Sequence, residues 1–141
     1  MTSRSPSTAE LVHLVLARFG ATDAAGVARL FAPEVEWRAP DVTSARWTSG
    51  IRTRREVESF FLSAFSALDL EGISVHRLLV DGEDAAVLGR MRWRPTSTSD
   101  VVDADFSLSL SVHDGEVDGC WLLHDTLAVA MALGAVRTWS P

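Results

Sequence analysis

From Asp105 to Val112 the chain reads DFSLSLSV, a strict alternation. Phe106, Leu108, Leu110 and Val112 fall on one side, and Ser107, Ser109 and Ser111 on the other. A period of two belongs to a strand with one buried and one wetter face. A helix cannot segregate such a pattern, so the chain must build a sheet around this run. The surrounding sequence agrees. Strand-like runs are predicted over about 70–80, 84–95, 101–113 and 116–124. VDGED and VHDGEV separate pairs of them and carry Asp-Gly turn chemistry.

The first half reads differently. Ser7-Thr8-Ala9-Glu10 has the capping-box pattern, and apolar residues follow through about Phe19 on a wide face. GATDAAG breaks that helix, and a second, short one is expected over about Ala24 to Phe31. Val35 and Trp37 alternate with Glu36 and Arg38 in a strand ending at Pro40. DVTSARWTSG reads as a loop. Thr53-Arg54-Arg55-Glu56 is a second capping box, and Val57, Phe60, Phe61, Ala64, Phe65 and Leu68 then recur at helical spacing. The order is helix, helix, strand, helix and a four-strand meander. This is an α+β chain with helices laid across a curved sheet.

The 141 residues suit one domain, placed at 7–136 between tails at 1–6 and 137–141. With 47% apolar residues the chain can bury a core. A net charge of -6 argues against nucleic acid or an anionic membrane surface as partner. All 13 basic residues are Arg, and Lys and Tyr are absent, so Schiff-base lysine and phenol acid chemistry are excluded. A single cysteine, Cys120, fits a reducing cytoplasm. MTSRSPSTAE lacks the apolar stretch of a secretory signal, and LVHLVLA is too short to span a bilayer. His13, His76, His113 and His124 stand apart, without metal-ligand spacing, so no metal is expected. There is no nucleophile elbow, phosphate loop or dinucleotide fingerprint, and no cofactor is expected. Three Arg in GIRTRREVE and the loop residue Asp41 are candidates for a pocket rim; a solvated helix end and turn chemistry are the plainer readings.

This order of elements, with LFAPEVEW after the second helix and DGEV…HDTLAVAMALG at the end, resembles the nuclear transport factor 2-like superfamily. Within it the chain is most similar to the SnoaL-like polyketide cyclase branch, from about Leu11 to Gly134. The resemblance implies a cone-shaped curved antiparallel sheet with three helices packed on its concave face. It also implies a pocket at the open end and a homodimer formed through the outer sheet face. It leaves activity open, because ketosteroid isomerases, epoxide hydrolases, cyclases and non-catalytic binding proteins share the fold. Matched position by position, Val15 stands where ketosteroid isomerases carry a helix Tyr. Trp37 stands at their base Asp and Leu108 at their donor Asp. Leu122, after Trp121, occupies the acid position of SnoaL-like cyclases, and Asp125 matches their second Asp. GRMRWR offers Arg without the acid of the epoxide hydrolase Arg-Asp pair.

If Leu122 faces the pocket, strand alternation turns Cys120 and His124 the same way. His124 is then a candidate acid, base or ligand contact, or else a satisfied core histidine. Asp125 either orients His124 or caps the helix TLAVAMAL. Cys120 has no positive neighbour in sequence and reads as packing. The implied substrate wall is Trp37, Trp47, Met91, Trp93 and Phe106, with Val15, Leu108, Cys120 and Leu122. A wall rich in indole suits a flat apolar ligand, whereas core or dimer burial explains the same residues without one. The expected function is a cofactor-free, cytoplasmic cyclase or isomerase of polyketide-like natural products, working by shape control with His124 assisting. The alternatives are a non-catalytic small-molecule binding protein of the same fold and an interaction module whose interior is filled by its own Trp side chains.

Overall fold

Thr53 starts the helix on which the interior is built. Its hydroxyl accepts from the Glu56 amide, and the Glu56 carboxylate accepts from the Thr53 amide, so the predicted capping box closes on both sides. The molecule is a computed structural model that describes residues 5–41, 47–97 and 100–133; of Trp47 and Ala130 only the backbone is described. The helices are α1 (Thr8–Gly20), α2 (Ala24–Ala28), α3 (Arg54–Ala67) and α4 (Thr126–Ala132). The strands are β1 (Phe31–Pro40), β2 (Trp47–Thr53), β3 (Leu68–Asp81), β4 (Asp84–Pro95), β5 (Val102–His113) and β6 (Glu116–His124). No helix among the described residues is long and apolar enough to cross a membrane. The tail expected at 137–141 lies outside the described residues, as does most of that at 1–6.

One curved, unclosed sheet runs β2-β1-β6-β5-β4-β3. The expected antiparallel sheet holds in four of the five strand pairs, with one exception. β1 and β6 pair in parallel, with Trp37 opposite Cys120 and Arg38 opposite Trp121, because the last strand returns beside the first in the same direction. Register shifts in β3 at Leu70/Gly72 and Val75/Arg77 bend that edge. There are four helices rather than three, the extra one being the short α4, whose N-cap is Asp125.

Two boundaries also move. The second helix stops at Ala28, and Phe31 already belongs to β1. Pro33 holds Ala32 extended, and Phe31 pairs with Val117 across the parallel ladder. DVTSARWTSG was expected to be loop throughout, yet its end enters β2, which pairs with β1. β2 lies at the sheet edge, where a strand needs little apolar alternation because one side of its ladder faces no neighbour.

The alternation of β5 is realised. Phe106, Leu110 and Val112 are buried with Leu108 half-buried beside them, and Ser107, Ser109 and Ser111 turn outward. α1 and α3 cover the buried face. Phe61 on α3 stands at the centre of a ring cluster with Phe19, Phe31, Trp37, Phe60 and Phe65.

Candidate functional site

Strand period aims the site residues. On β6, Cys120, Leu122 and His124 turn inward, while Trp121 and Leu123 turn out and are 44% and 39% exposed. On β4, Met91 and Trp93 turn inward, and on β5 so do Phe106 and Leu108. Val15 reaches them from α1. Val15, Met91, Phe106, Leu108, Cys120 and Leu122 share the wall of an apolar cavity of about 30 Å³. Met91, Trp93, Leu122 and His124 share a second, of about 20 Å³, closed by Phe60 and by Val129 of α4.

The structure does not bring Trp37 into either cavity. Its ring packs edge-on against Phe60 with centroids 4.9 Å apart, and its indole N–H donates to Thr48 Oγ1 at 3.1 Å. Trp93 is likewise held by Phe19, at 5.9 Å and 90°, and stacked on Phe65. The Trp47 side chain lies outside the description.

His124 is the polar group of this interior. Both ring nitrogens are buried, and neither finds a hydrogen-bond partner among the described residues. Burial pushes its pKa below the usual histidine value. The peptide and carboxylate of Asp125 pull it back by less, and the peptide lies outside good hydrogen-bond geometry. At neutral pH the imidazole is uncharged, with one N–H to give and one lone pair to receive. Asp125 points elsewhere: its carboxylate is exposed and accepts from the Ala128 amide at 3.0 Å as the cap of α4. Burial pushes the Cys120 thiol up to about 12, so it stays protonated and unreactive.

A larger opening escaped the sequence. Between β1, β2 and α3 lies a cleft of about 330 Å³, with Trp37 and Phe60 in its wall and Asp41, Arg52, Glu56, Ser59 and Ser63 around it. Arg52 donates to the carbonyls of Ile51 and Ser49. Neither the Ser59 nor the Ser63 hydroxyl has a hydrogen-bond partner among the described residues. The Ser-Phe-x-x-Ser spacing on α3 was the available signal, since it flanks one ring with two hydroxyls one turn apart. Asp41 and Arg52 are thus placed on a rim, whereas Arg54 ties α3 to the sheet through the Phe31 carbonyl and Glu116.

The remaining charges face solvent. Arg90 pairs with Asp105 at 3.3 Å and Arg92 with Glu71 at 3.5 Å, both across strands on the outer face. The sequence showed those Arg without an acid because the partners come from neighbouring strands. His13, His76 and His113 are exposed. The described residues hold no group of three metal-ligating side chains.

Comparison with known proteins fits this geometry. An NTF2-like protein from Burkholderia xenovorans superposes with a TM-score of 0.70 at 23% identity, over 92% of this chain and 99% of the other. A candidate SnoaL-like polyketide cyclase from Jannaschia sp. gives 0.69 at 22%, over 97% and 100%. IdmH from Streptomyces antibioticus, a candidate polyketide cyclase, gives 0.72 at 17%, over 90% and 98%. At these identities the likeness is one of fold. No curated protein matches the chain significantly. The SnoaL-like domain model matches residues 12–118, from the buried face of α1 into β6, and by that match the chain belongs to the SnoaL-like domain family.

Proposed function

We propose that the protein is a cofactor-free cyclase or isomerase acting on a largely apolar, polyketide-like small molecule. The observation that carries this reading is the His124 imidazole at the end of an otherwise apolar interior, its two nitrogens buried and without a partner among the described residues. An unsatisfied buried polar group costs about 1–3 kcal/mol. Among the described lining residues a water would find His124 as its polar side-chain partner, whereas buried waters make about three hydrogen bonds. A substrate carbonyl accepting from the imidazole N–H removes the cost. The other nitrogen can take the acidic proton between two carbonyls and return it to the alkoxide after the carbon–carbon bond closes. The surrounding rings fold the chain so that the reacting carbons meet. The family match and the candidate polyketide cyclases among its structural neighbours support this class of reaction.

The test is incubation with linear poly-β-ketone thioesters, with products read by mass spectrometry. Wild-type protein should cyclise at least one of them. His124→Ala should lose about 10²–10⁴-fold in rate with binding retained. Normal turnover by that variant would remove His124 from the chemistry. Apolar residues at Val15, Trp37, Leu108 and Leu122 favour a second reading, a non-catalytic carrier of the same ligands. Binding without turnover by the wild type would establish it.

We further propose that two copies associate through the outer sheet face. The strand registers align Leu79, Ala86, Ser109, Trp121 and Arg38 in one row. Leu88, Ser107 and Leu123 align in the next. Small residues at the centre and exposed apolar ones on both flanks suit a flat interface with a second copy. The Arg38 guanidinium lies 4.5 Å over the Trp121 ring. Sedimentation should give a dimer, and Trp121→Asp a monomer. A monomeric wild type at 100 μM would rule the interface out.

A further inference from the structure

With Phe60 where it stands, the interior around His124 has no room for a substrate. Its two cavities measure about 30 and 20 Å³, whereas ligand pockets begin near 300 Å³. The cleft between β1, β2 and α3, at about 330 Å³, does reach that size. The cleft and the His124 cavity are neighbours, and among the described residues Phe60 is the one lining both. Its ring is half-buried, unlike that of Phe61 beside it in sequence. It rests edge-on against Trp37 at 4.9 Å and Phe61 at 5.4 Å. A half-buried side chain on a helix face has solvent on one side into which another rotamer can swing.

The cleft has a chemical character of its own. The indole of Trp37 and the ring of Phe60 offer flat apolar surface. Ser59 and Ser63 offer two hydroxyls without a partner among the described residues, and Arg52 has N–H groups beyond the two that bind backbone carbonyls. One guanidinium stands among the carboxylates of Asp41 and Glu56, a balance that favours a neutral ligand over a strongly charged one.

We propose that this cleft is the outer subsite for a flat, neutral molecule bearing hydroxyl or carbonyl groups, and that Phe60 is the partition determining how far it reaches toward His124. The inference rests on the role given to His124 above. Phe60 is a specificity-determining residue in this account. A larger residue there confines the ligand to the cleft, and a smaller one joins the two spaces.

The experiment uses 2-naphthol as probe and NMR of the full chain, reading the Trp37 indole N–H for the cleft and the His124 ring for the inner cavity. In wild-type protein the probe should shift the Trp37 signal strongly and the His124 ring weakly. In Phe60→Ala it should bind about tenfold tighter and shift His124 strongly. Phe60→Leu, which keeps an apolar side chain at the site and is the safer variant for folding, should shift His124 by an intermediate amount. Phe60→Trp should keep the Trp37 response and abolish that of His124. Equal His124 shifts in wild type and all variants would overturn the partition while leaving the His124 reading intact. A Trp37 response with His124 silent even in Phe60→Ala and Phe60→Leu would overturn it too. Absence of any Trp37 response would overturn the cleft as a subsite, and the role of His124 would then stand or fall on the turnover test alone.

Discussion

His124→Leu should raise the melting temperature by about 3–6 °C while removing whatever activity the interior supports. The gain follows from deleting a polar group that finds no partner among the described residues. Desolvating an imidazole without returning its hydrogen bonds costs about 1–3 kcal/mol, and Leu at the same place incurs no such cost. Leu also meets only apolar neighbours there, among them Met91, Leu122 and Val129. For a domain of this size 1–2 kcal/mol corresponds to that rise. A substitution that stabilises the fold and ends its function is the signature of a residue kept for chemistry rather than for packing. If the variant is less stable than wild type, the imidazole has a partner in solution and the reading above loses its footing.

The same residue sets a pH signature. Burial lowers the folded-state pKa of His124 below its ordinary 6.5. Above 6.5 the ring is neutral folded or unfolded, and pH has no leverage. As pH falls below 6.5 the unfolded chain takes up a proton that the folded one refuses, so stability declines. The slope reaches at most about 1.4 kcal/mol per pH unit and ends once pH passes the lowered folded value. His124→Leu should be flat over that window. Asp125 is the charged neighbour that acts on His124. Glu56 and Glu71 are held below the usual 4.5 by hydrogen bonds to Thr53 and Arg94, so their contribution is lost only at lower pH. Urea denaturation at pH 7.5, 6.0 and 5.0 separates the two ranges. Parallel loss in wild type and variant would show that His124 does not titrate differently on folding.

Much of this architecture could be read from residue periods. DFSLSLSV fixed its own buried face, and β6 alternation placed His124 beside Leu122 and Cys120 before any contact was known. Those patterns are local, because a strand's faces are set by its own backbone. What failed was set by distant partners. β2 becomes a strand because β1 offers it a ladder, and its polar sequence carries little sign of that. The parallel β1–β6 pair depends on where the last strand returns. For the Trp wall the sequence is silent on a separate point, because an aromatic at a pocket position reads the same whether it faces space or another ring. Phe19, Phe60, Phe61 and Phe65 approach Trp37 and Trp93 from separate helices, and only the packing of those helices decides how much room remains. The cleft beside α3 was missed for the same reason, since its wall joins β1, β2 and one helix face.

That packing makes Phe61→Ala the most damaging single change expected. Phe61 meets five rings within 6.5 Å: Phe60 at 5.4, Phe19 at 5.9, Trp37 and Phe65 at 6.0, and Phe31 at 6.5 Å. It is 5% exposed, so its removal leaves a void that solvent cannot fill. The five neighbours are fixed by three elements, α1, β1 and α3, and none can close the gap without dragging its backbone. The transfer and cavity costs together come to about 3–5 kcal/mol. Domains of this kind hold about 5–15 kcal/mol in all, so the variant should unfold at much lower urea or fail to accumulate folded. Phe60→Leu, one residue away, should cost under about 1.5 kcal/mol, because it exchanges one apolar side chain for another of similar volume at a half-buried site. The two substitutions probe one helix and one cluster of rings. A large loss at Phe61 with a small one at Phe60 would mean that the cluster's rigid centre and its movable edge are adjacent residues, which is the arrangement a partition before His124 requires. Similar losses at both positions would make Phe60 part of the fixed core and close the path to His124 from that side.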